Sequence, residues 1–318
     1  MNKVLPISVI MSVYKEPAEW LCQSIDSILN QTFPDFEFII ICDNPKGLDN
    51  IALLKKYAAN DNRIKLLFNE ENIGLTKSLN KGLAVARGKY IARMDADDIS
   101  MPKRFEKQIA YLEKHPEVIV LGTNIKHIGH NAWLRNTDSI KFDNKRIKVQ
   151  MLFGNCFAHS SVFVRAGVLK ENNIRYDESF RQSQDYRLWE VLSDLGDFAC
   201  LREKLLMYRL SENQISNGQG RSQFNHAIDI RYRLQEKWLR SIGYSYTTRI
   251  ISDSPMDIVK ELRKNGNVRN SLEYKAFLQH TYLTLSKSNL SIIPLALKDV
   301  RFITPMNFIR ILVRALNR

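Results

Sequence analysis

The 318-residue sequence is poor in cysteine. Its four, Cys22, Cys42, Cys156 and Cys200, are far apart and show no metal-ligand spacing, which excludes a disulfide scaffold and a cysteine-based zinc site. Cys42 lies in an apolar run and Cys22 on a helical pattern, so buried free thiols in a reducing cytoplasm are expected. No window approaches the roughly 20 consecutive apolar residues that span a bilayer. The opening Met1-Asn2-Lys3-Val4-Leu5-Pro6 reads into a strand and lacks the apolar stretch of a signal peptide. Glycine is missing where a dinucleotide site needs it. The loop after the first apolar run is Tyr14-Lys15-Glu16-Pro17, and no GxxxxGK[ST] phosphate loop occurs anywhere. Internal repeats and low-complexity tracts are absent too.

What is present suits a globular protein with a full core: 44% hydrophobic and 25% charged residues. The formal net charge of +13 favours anionic partners such as nucleotides or phospholipids. Ile7–Val13, Phe36–Cys42, Ile64–Phe68 and Tyr90–Met94 read as buried strands. Helical patterns over Glu19–Asn30, Asp49–Asn60 and Leu75–Ala86 separate them. This alternation predicts right-handed βαβ units and a mostly parallel sheet, hence an α/β fold. Ligands of such sheets gather beyond the carboxyl ends of the strands. Ser12, Tyr14, Asp43, Asn72, Gly74 and Asp95 would therefore share one rim.

The fourth strand runs into Asp95-Ala96-Asp97-Asp98, three carboxylates within four positions. Two readings stand at this point. One is an acidic turn before the helix that opens near Pro102, with Asp98 capping it. The other is a site for a hard divalent cation, which relieves the mutual repulsion of the carboxylates. The missing glycine loop favours the second. A diphosphate on this sheet would need a cation, held by Asp97 with help from Asp95, in place of a backbone cradle.

Four runs together carry a family resemblance: Ile7 to Tyr14, Ser24-Ile-Asp-Ser-Ile-Leu-Asn-Gln-Thr-Phe33, Asn72-Ile-Gly-Leu-Thr-Lys-Ser-Leu-Asn-Lys-Gly82, and Gly88-Lys-Tyr-Ile-Ala-Arg-Met-Asp-Ala-Asp-Asp98. In this order they closely resemble the bacterial family 2 inverting glycosyltransferases of the GT-A fold, over about residues 5 to 215. The resemblance implies a nucleotide-sugar donor, with a UDP-sugar the family's commonest, and Mg²⁺ or Mn²⁺. It assigns Asp95 and Asp97 to ribose and metal, and Asp43 to the nucleobase. Ser12, Tyr14, Glu16, Asn72, Gly74 and Lys77 fall to the nucleotide. Next to these stand plainer readings: an Asx turn at Asp43, a left-handed turn at Gly74 and an exposed helical lysine at Lys77.

In the second half, from Thr123 to Val149, the pattern is broken and polar. Asn155-Cys-Phe-Ala-His-Ser-Ser-Val-Phe-Val-Arg165 resembles the segment before the family's acceptor site and makes His159 a candidate for the phosphate or acceptor pocket. Gln184-Asp185 stands where the family has Glu-Asp at a helix start, so Asp185 is implied as general base, the alternative being a helix cap. Arg209, in Met207-Tyr-Arg-Leu-Ser211, either contacts the diphosphate or braces the lid. Many members carry His near position 211; Ser211 leaves the third metal ligand open. A polar Gly-rich stretch at 211–222 suggests a catalytic domain over 1–218 and a helical C-terminal region over 219–318. The tail, 298–318, carries a net +4 from Lys298, Arg301, Arg310, Arg314 and Arg318 against Asp299 and alternates basic with apolar residues. It suits an anionic membrane surface or an ordinary helix with a solvated face. The expectation is an enzyme of cell-surface polysaccharide synthesis, acting on a saccharide or polyprenyl-linked acceptor at the inner membrane face, with no nucleic-acid partner. A metal-dependent nucleotidyltransferase and a non-catalytic basic binding module are the rivals.

Overall fold

The computed structural model describes residues 5–130, 143–211 and 220–285, plus isolated positions 132, 296, 303, 307, 310 and 311. Residues 212–219 of the polar Gly-rich stretch and most of the basic tail lie outside the described residues. The chain divides into two compact units, Met1–Ile147 with Cys156–His226, and Lys148–Asn155 with Ala227–Arg318.

The first unit is built on an eight-stranded sheet of order β3-β2-β1-β4-β7-β6-β8-β5. β1 (Ile7–Val13), β2 (Phe36–Cys42), β3 (Ile64–Phe68) and β4 (Tyr90–Arg93) are parallel neighbours. The first two are buried at every position, which is why they read as continuous apolar runs. α1 (Ala18–Leu29), α2 (Leu48–Asn60) and α3 (Leu75–Val85) connect them, so all four strands leave the sheet at the same rim.

Beyond β4 the sheet turns mixed. A two-residue β5 (Ile99–Ser100) precedes α4 (Arg104–Lys114). β6 (Val118–Gly129) runs beyond the apolar stretch Val118–Leu121 into polar sequence. The polar residues after Gly122 stay in the strand because β8 (Asp197–Leu210) pairs with β6 along its whole length, with register shifts at three places. Only the first seven residues of β6 are buried, so the hydrophobic signal ends before the strand does. β7 (Phe163–Arg165) lies antiparallel between β4 and β6. α5 (Asn144–Met151), a 3₁₀ turn at His159–Ser161, α6 (Ala166–Glu171) and α7 (Gln184–Leu192) complete the framework.

Two glycines decide local geometry. Gly74 has φ +84°, a conformation that L side chains rarely adopt, and it opens α3. Gly88 brings β4 against β1, where a Cβ would lie 2.3 Å from the Ser8 backbone nitrogen.

The second unit is helical: α8 (Gly220–Ser241), α9 (Thr248–Asp253), α10 (Pro255–Lys264), α11 (Gly266–Arg269) and α12 (Leu272–Leu285). Its core gathers Leu239, Ile251, Ile258, Leu262, Tyr274, Phe277 and Tyr282. Segment 148–155 joins it through Leu152, whose carbonyl accepts from Gln235 Nε2 at 2.6 Å. All four cysteines are free thiols. Among the described residues no helix is long and apolar enough to cross a membrane.

Candidate active site

The acidic segment leaves β4 at the rim and is tied to three neighbouring elements. From α1, Ser24 Oγ donates to the Asp95 carbonyl at 2.8 Å, and Ser27 Oγ accepts the Ser100 amide at 2.9 Å. Gln31 Nε2 donates to the Met101 carbonyl at 2.9 Å. From β8, the Arg209 amide donates to Asp98 Oδ1 at 2.8 Å, and Arg209 Nε donates to the Asp97 carbonyl at 2.7 Å. Arg209 Nη2 reaches Gln23 Oε1 at 2.6 Å, and the guanidinium lies 4.9 Å from the Trp20 ring centroid. From the 3₁₀ turn, Ser160 Oγ donates to Asp95 Oδ2 at 2.5 Å.

The three carboxylates are therefore held differently. Asp95 pairs with the Arg93 guanidinium. Burial works against its ionisation, but Arg93 and the Ser160 bond outweigh that and keep it below the usual carboxylate range. Asp97 is pushed up to about 7, by burial first and then by the charges of Asp95 and Glu16. Asp98 is raised well above the ordinary value by burial and by Asp97 and Asp95. Asp98 does not cap the next helix; the residue before α4 is Lys103, and the Asp98 carboxylate turns to the Arg209 amide instead. Behind Asp98 lies the buried Arg104, brought down to about 9 by burial, which donates to the Arg93 carbonyl at 2.8 Å.

Glu16 folds back to accept the Tyr14 amide at 2.7 Å. Burial raises its carboxyl, and the charge of Asp95 adds to that. Tyr14 itself is exposed, whereas Ser12 is buried in β1. Asp43 is buried at the end of β2 and staples the next rim loop. Its Oδ1 accepts from the Ile73 amide at 2.9 Å and from Asn69 Nδ2 at 2.8 Å, and its Oδ2 accepts from the Gly74 amide at 2.9 Å. Asn72 and Lys77 are exposed at that loop and on α3.

α3 also fixes the opposite wall. Thr76 Oγ1 donates to the Phe180 carbonyl at 2.9 Å, and Asn80 Nδ2 donates to the Tyr176 carbonyl at 2.9 Å. The Tyr176 hydroxyl is hydrogen-bonded to His159 Nε2 at 2.7 Å. His159 is buried between Tyr176 and Trp189, and burial brings it down to about 3, so it is a neutral imidazole. Asp185 sits in the first turn of α7, after Ser183, whose φ of +58° is uncommon for a residue with a side chain. Tyr208 of β8 is raised first by burial and then by the charges of Asp98, Asp95, Asp97 and Asp185.

Several residues here escaped the sequence reading: Arg93, Arg104, Ser160, Tyr176 and Tyr208. Arg93 did leave a signal, being a charge inside the apolar run from Tyr90 to Met94, which a buried strand tolerates only with partners. Ser24, Ser27 and Gln31 lie inside a run singled out for resemblance, without a role assigned there.

The helix-flanked eight-stranded sheet, with an acidic segment leaving β4 at its rim, is of the GT-A type. The family model described as Glycosyl transferase family 2 matches residues 8–172, and the chain belongs to that family. A glycosyltransferase of Methanocaldococcus jannaschii is 40% identical over 212 residues, 66% of this chain and 72% of the relative. A glycosyltransferase of Haemophilus influenzae is 31% identical over 288 residues, 88% of each chain. The O-antigen biosynthesis glycosyltransferase WbnJ of Escherichia coli is 38% identical over 210 residues, covering 64% and 79%. Among solved structures, S. aureus TarS 1-349 in complex with UDP-GlcNAc superposes with a TM-score of 0.59 at 17% identity, covering 91% of this chain and 83% of that one. A mannosyltransferase of Pyrobaculum calidifontis in complex with GDP-Man and Mn²⁺ gives 0.53 at 13% identity, covering 98% and 86%. The family makes this chain a transferase, and the solved structures share its fold.

Proposed function

We propose that the chain transfers a sugar, with inversion at the anomeric carbon, from a nucleoside-diphosphate donor to a saccharide or lipid-linked acceptor. The observation that carries this reading is the delivery of Asp95, Asp97 and Asp98 by β4 to the sheet rim, where Ser24, Ser160 and Arg209 hold them; Asp185 opens α7 in the same unit. In the reading, Asp185 accepts the proton of the acceptor hydroxyl as that oxygen attacks the anomeric carbon. Asp43 and the Asn72–Gly74 loop shape the nucleoside end of the site, with Ser12, Tyr14 and Lys77 beside it. Arg209 fixes the acidic segment from below and is a positioning residue rather than a diphosphate ligand.

The donor set fits a hard divalent cation, because it consists of carboxylates, and Asp97, pushed up to about 7 by burial first and then by the charges of Asp95 and Glu16, would be relieved by a positive charge beside it. Asp97 would hold Mg²⁺ or Mn²⁺, which when bound neutralises charge on the leaving diphosphate. Among the described residues no three His, Cys, Asp or Glu side chains are grouped as a metal site. In this reading donor phosphates and water complete the shell, as is usual for Mg²⁺. The catalytic role falls to the first unit, and the basic residues of 298–318 support attachment to an anionic membrane surface.

The test is release of nucleoside diphosphate from a panel of UDP- and GDP-sugars with Mn²⁺ and an oligosaccharide or polyprenyl-linked acceptor. Asp185→Ala is expected to lower kcat by roughly 10²–10⁴-fold. Wild-type turnover in both Asp97→Ala and Asp185→Ala would overturn the mechanism.

A further inference from the structure

Arg93 is an anomaly in its strand. It ends β4, is almost wholly buried, and carries its charge into the first unit's core. One guanidinium nitrogen donates to the Ile10 carbonyl at 3.1 Å and also to the Met94 carbonyl. The other donates to Asp95 Oδ1. Arg93 Nε has no hydrogen-bond partner among the described residues, an unfavourable state for a buried donor. Its geometry thus serves the carboxylate at the expense of its own satisfaction. The second carboxylate oxygen of Asp95 accepts from Ser160 Oγ, which in turn accepts the Asp95 amide at 3.1 Å. Both oxygens of Asp95 are therefore occupied by donors of the protein. Asp97, two residues on, is raised by burial first and then by the charges of Asp95 and Glu16.

We propose that Arg93 is a positioning residue that clamps Asp95, together with Ser160, so that Asp95 serves the donor as a fixed hydrogen-bond acceptor and the divalent cation rests on Asp97. This inference rests on the metal-dependent reading above and adds to it the two groups that hold Asp95, the Arg93 guanidinium and the Ser160 hydroxyl. An arginine is suited to the clamp because its planar fork reaches the carbonyl at the strand end and the carboxylate at once. Releasing the clamp frees a second carboxylate beside Asp97, which favours the cation and disorders the acceptor that the donor needs.

Mn²⁺ binding to the full chain, measured by the loss of the free-ion paramagnetic resonance signal without nucleotide, separates this from a purely structural role. Arg93→Gln is expected to bind Mn²⁺ about tenfold tighter, the scale on which outer partners of ligating groups act, while its donor KM rises by a similar factor. Arg93→Lys, which keeps the charge and one donor, is expected to lie between it and the wild type. A folded Arg93→Gln protein with unchanged or weaker Mn²⁺ affinity overturns the proposal. Should Arg93→Gln not fold, Ser160→Ala opens the other oxygen and must show tightening in the same direction; failing that, the clamp is wrong. If the wild type turns over donor yet neither it nor the variants bind Mn²⁺, the metal reading falls and this proposal falls with it. If the wild type binds Mn²⁺ and the variants match it, the clamp alone is refuted.

Discussion

The backbone amide of Arg209 donates to the carboxylate of Asp98 at 2.8 Å, across 111 positions of sequence. The same residue's side chain holds the Asp97 carbonyl and Gln23. A single residue of the last strand therefore sets the conformation of the acidic segment and ties it to α1. Replacing the side chain leaves the amide bond to Asp98 intact and removes the rest.

Arg209→Ala is accordingly expected to lower stability by about 2–3 kcal/mol, through two lost charge-assisted bonds. Donor KM should rise more than kcat falls, because the metal-side loop loosens while Asp185 is untouched. Urea unfolding and donor titrations at saturating acceptor check both parts. An unchanged donor KM in the folded variant would refute the brace.

Asp43→Asn replaces one acceptor oxygen with an N–H₂ group facing backbone donors at Ile73 or Gly74. The expected cost is about 1–3 kcal/mol, since a buried donor is left without its acceptor. Hydrogen exchange should accelerate at Ile73 and Gly74 and leave the β1 amides unchanged. Uniform acceleration across the sheet would place the role of Asp43 in global stability rather than in the loop.

Gly88→Ala tests the register of β4. The added Cβ would lie 2.3 Å from Ser8 N and 2.5 Å from the Ile7 carbonyl carbon, both backbone atoms of the neighbouring strand. Neither gives way as a flexible side chain would, so a loss of about 3 kcal/mol is expected from overpacking. Thermal unfolding measures it; a melting temperature equal to wild type would contradict the close approach of β4 to β1.

His159 makes stability depend on pH. Its folded value, about 3, lies below the ordinary 6.5, so the unfolded chain binds the proton more readily. The contribution is fully present above pH 6.5 and is lost as pH falls toward 3, at up to about 1.4 kcal/mol per pH unit. Comparing urea midpoints at pH 7 and pH 5, His159→Gln should lose less stability than the wild type. Equal losses would show that the imidazole is not buried neutral.

The parallel half of the sheet was legible in the chain. The runs at Ile7–Val13, Phe36–Cys42 and Ile64–Phe68 match the strands residue for residue, because their mostly apolar residues are bounded by polar rim loops. Past Gly122 the sequence pattern is broken and polar, yet β6 runs on to Gly129, because its pairing with β8, which no local pattern records, carries the strand further. Asp98 misled for a similar reason: before a helix it looks like a cap, and only the arrival of β8 offers it the Arg209 amide.

By itself, then, the sequence determined the strand–helix alternation, the rim to which Asp43, Gly74 and Asp95 are delivered, and a family membership carried by four ordered motifs. Hydrophobic periodicity and the period of the backbone suffice for the alternation and the rim, since both act over a few residues, whereas the membership rests on the resemblance of the motifs. The tertiary structure alone decided how the charges are shared. It set Arg93 against Asp95, left Asp97 crowded by Glu16, brought Asp185 into the field of the same Tyr208, and kept His159 neutral. Ionisation depends on burial and on charges within several ångströms, and those neighbours come from strands and turns far apart in sequence.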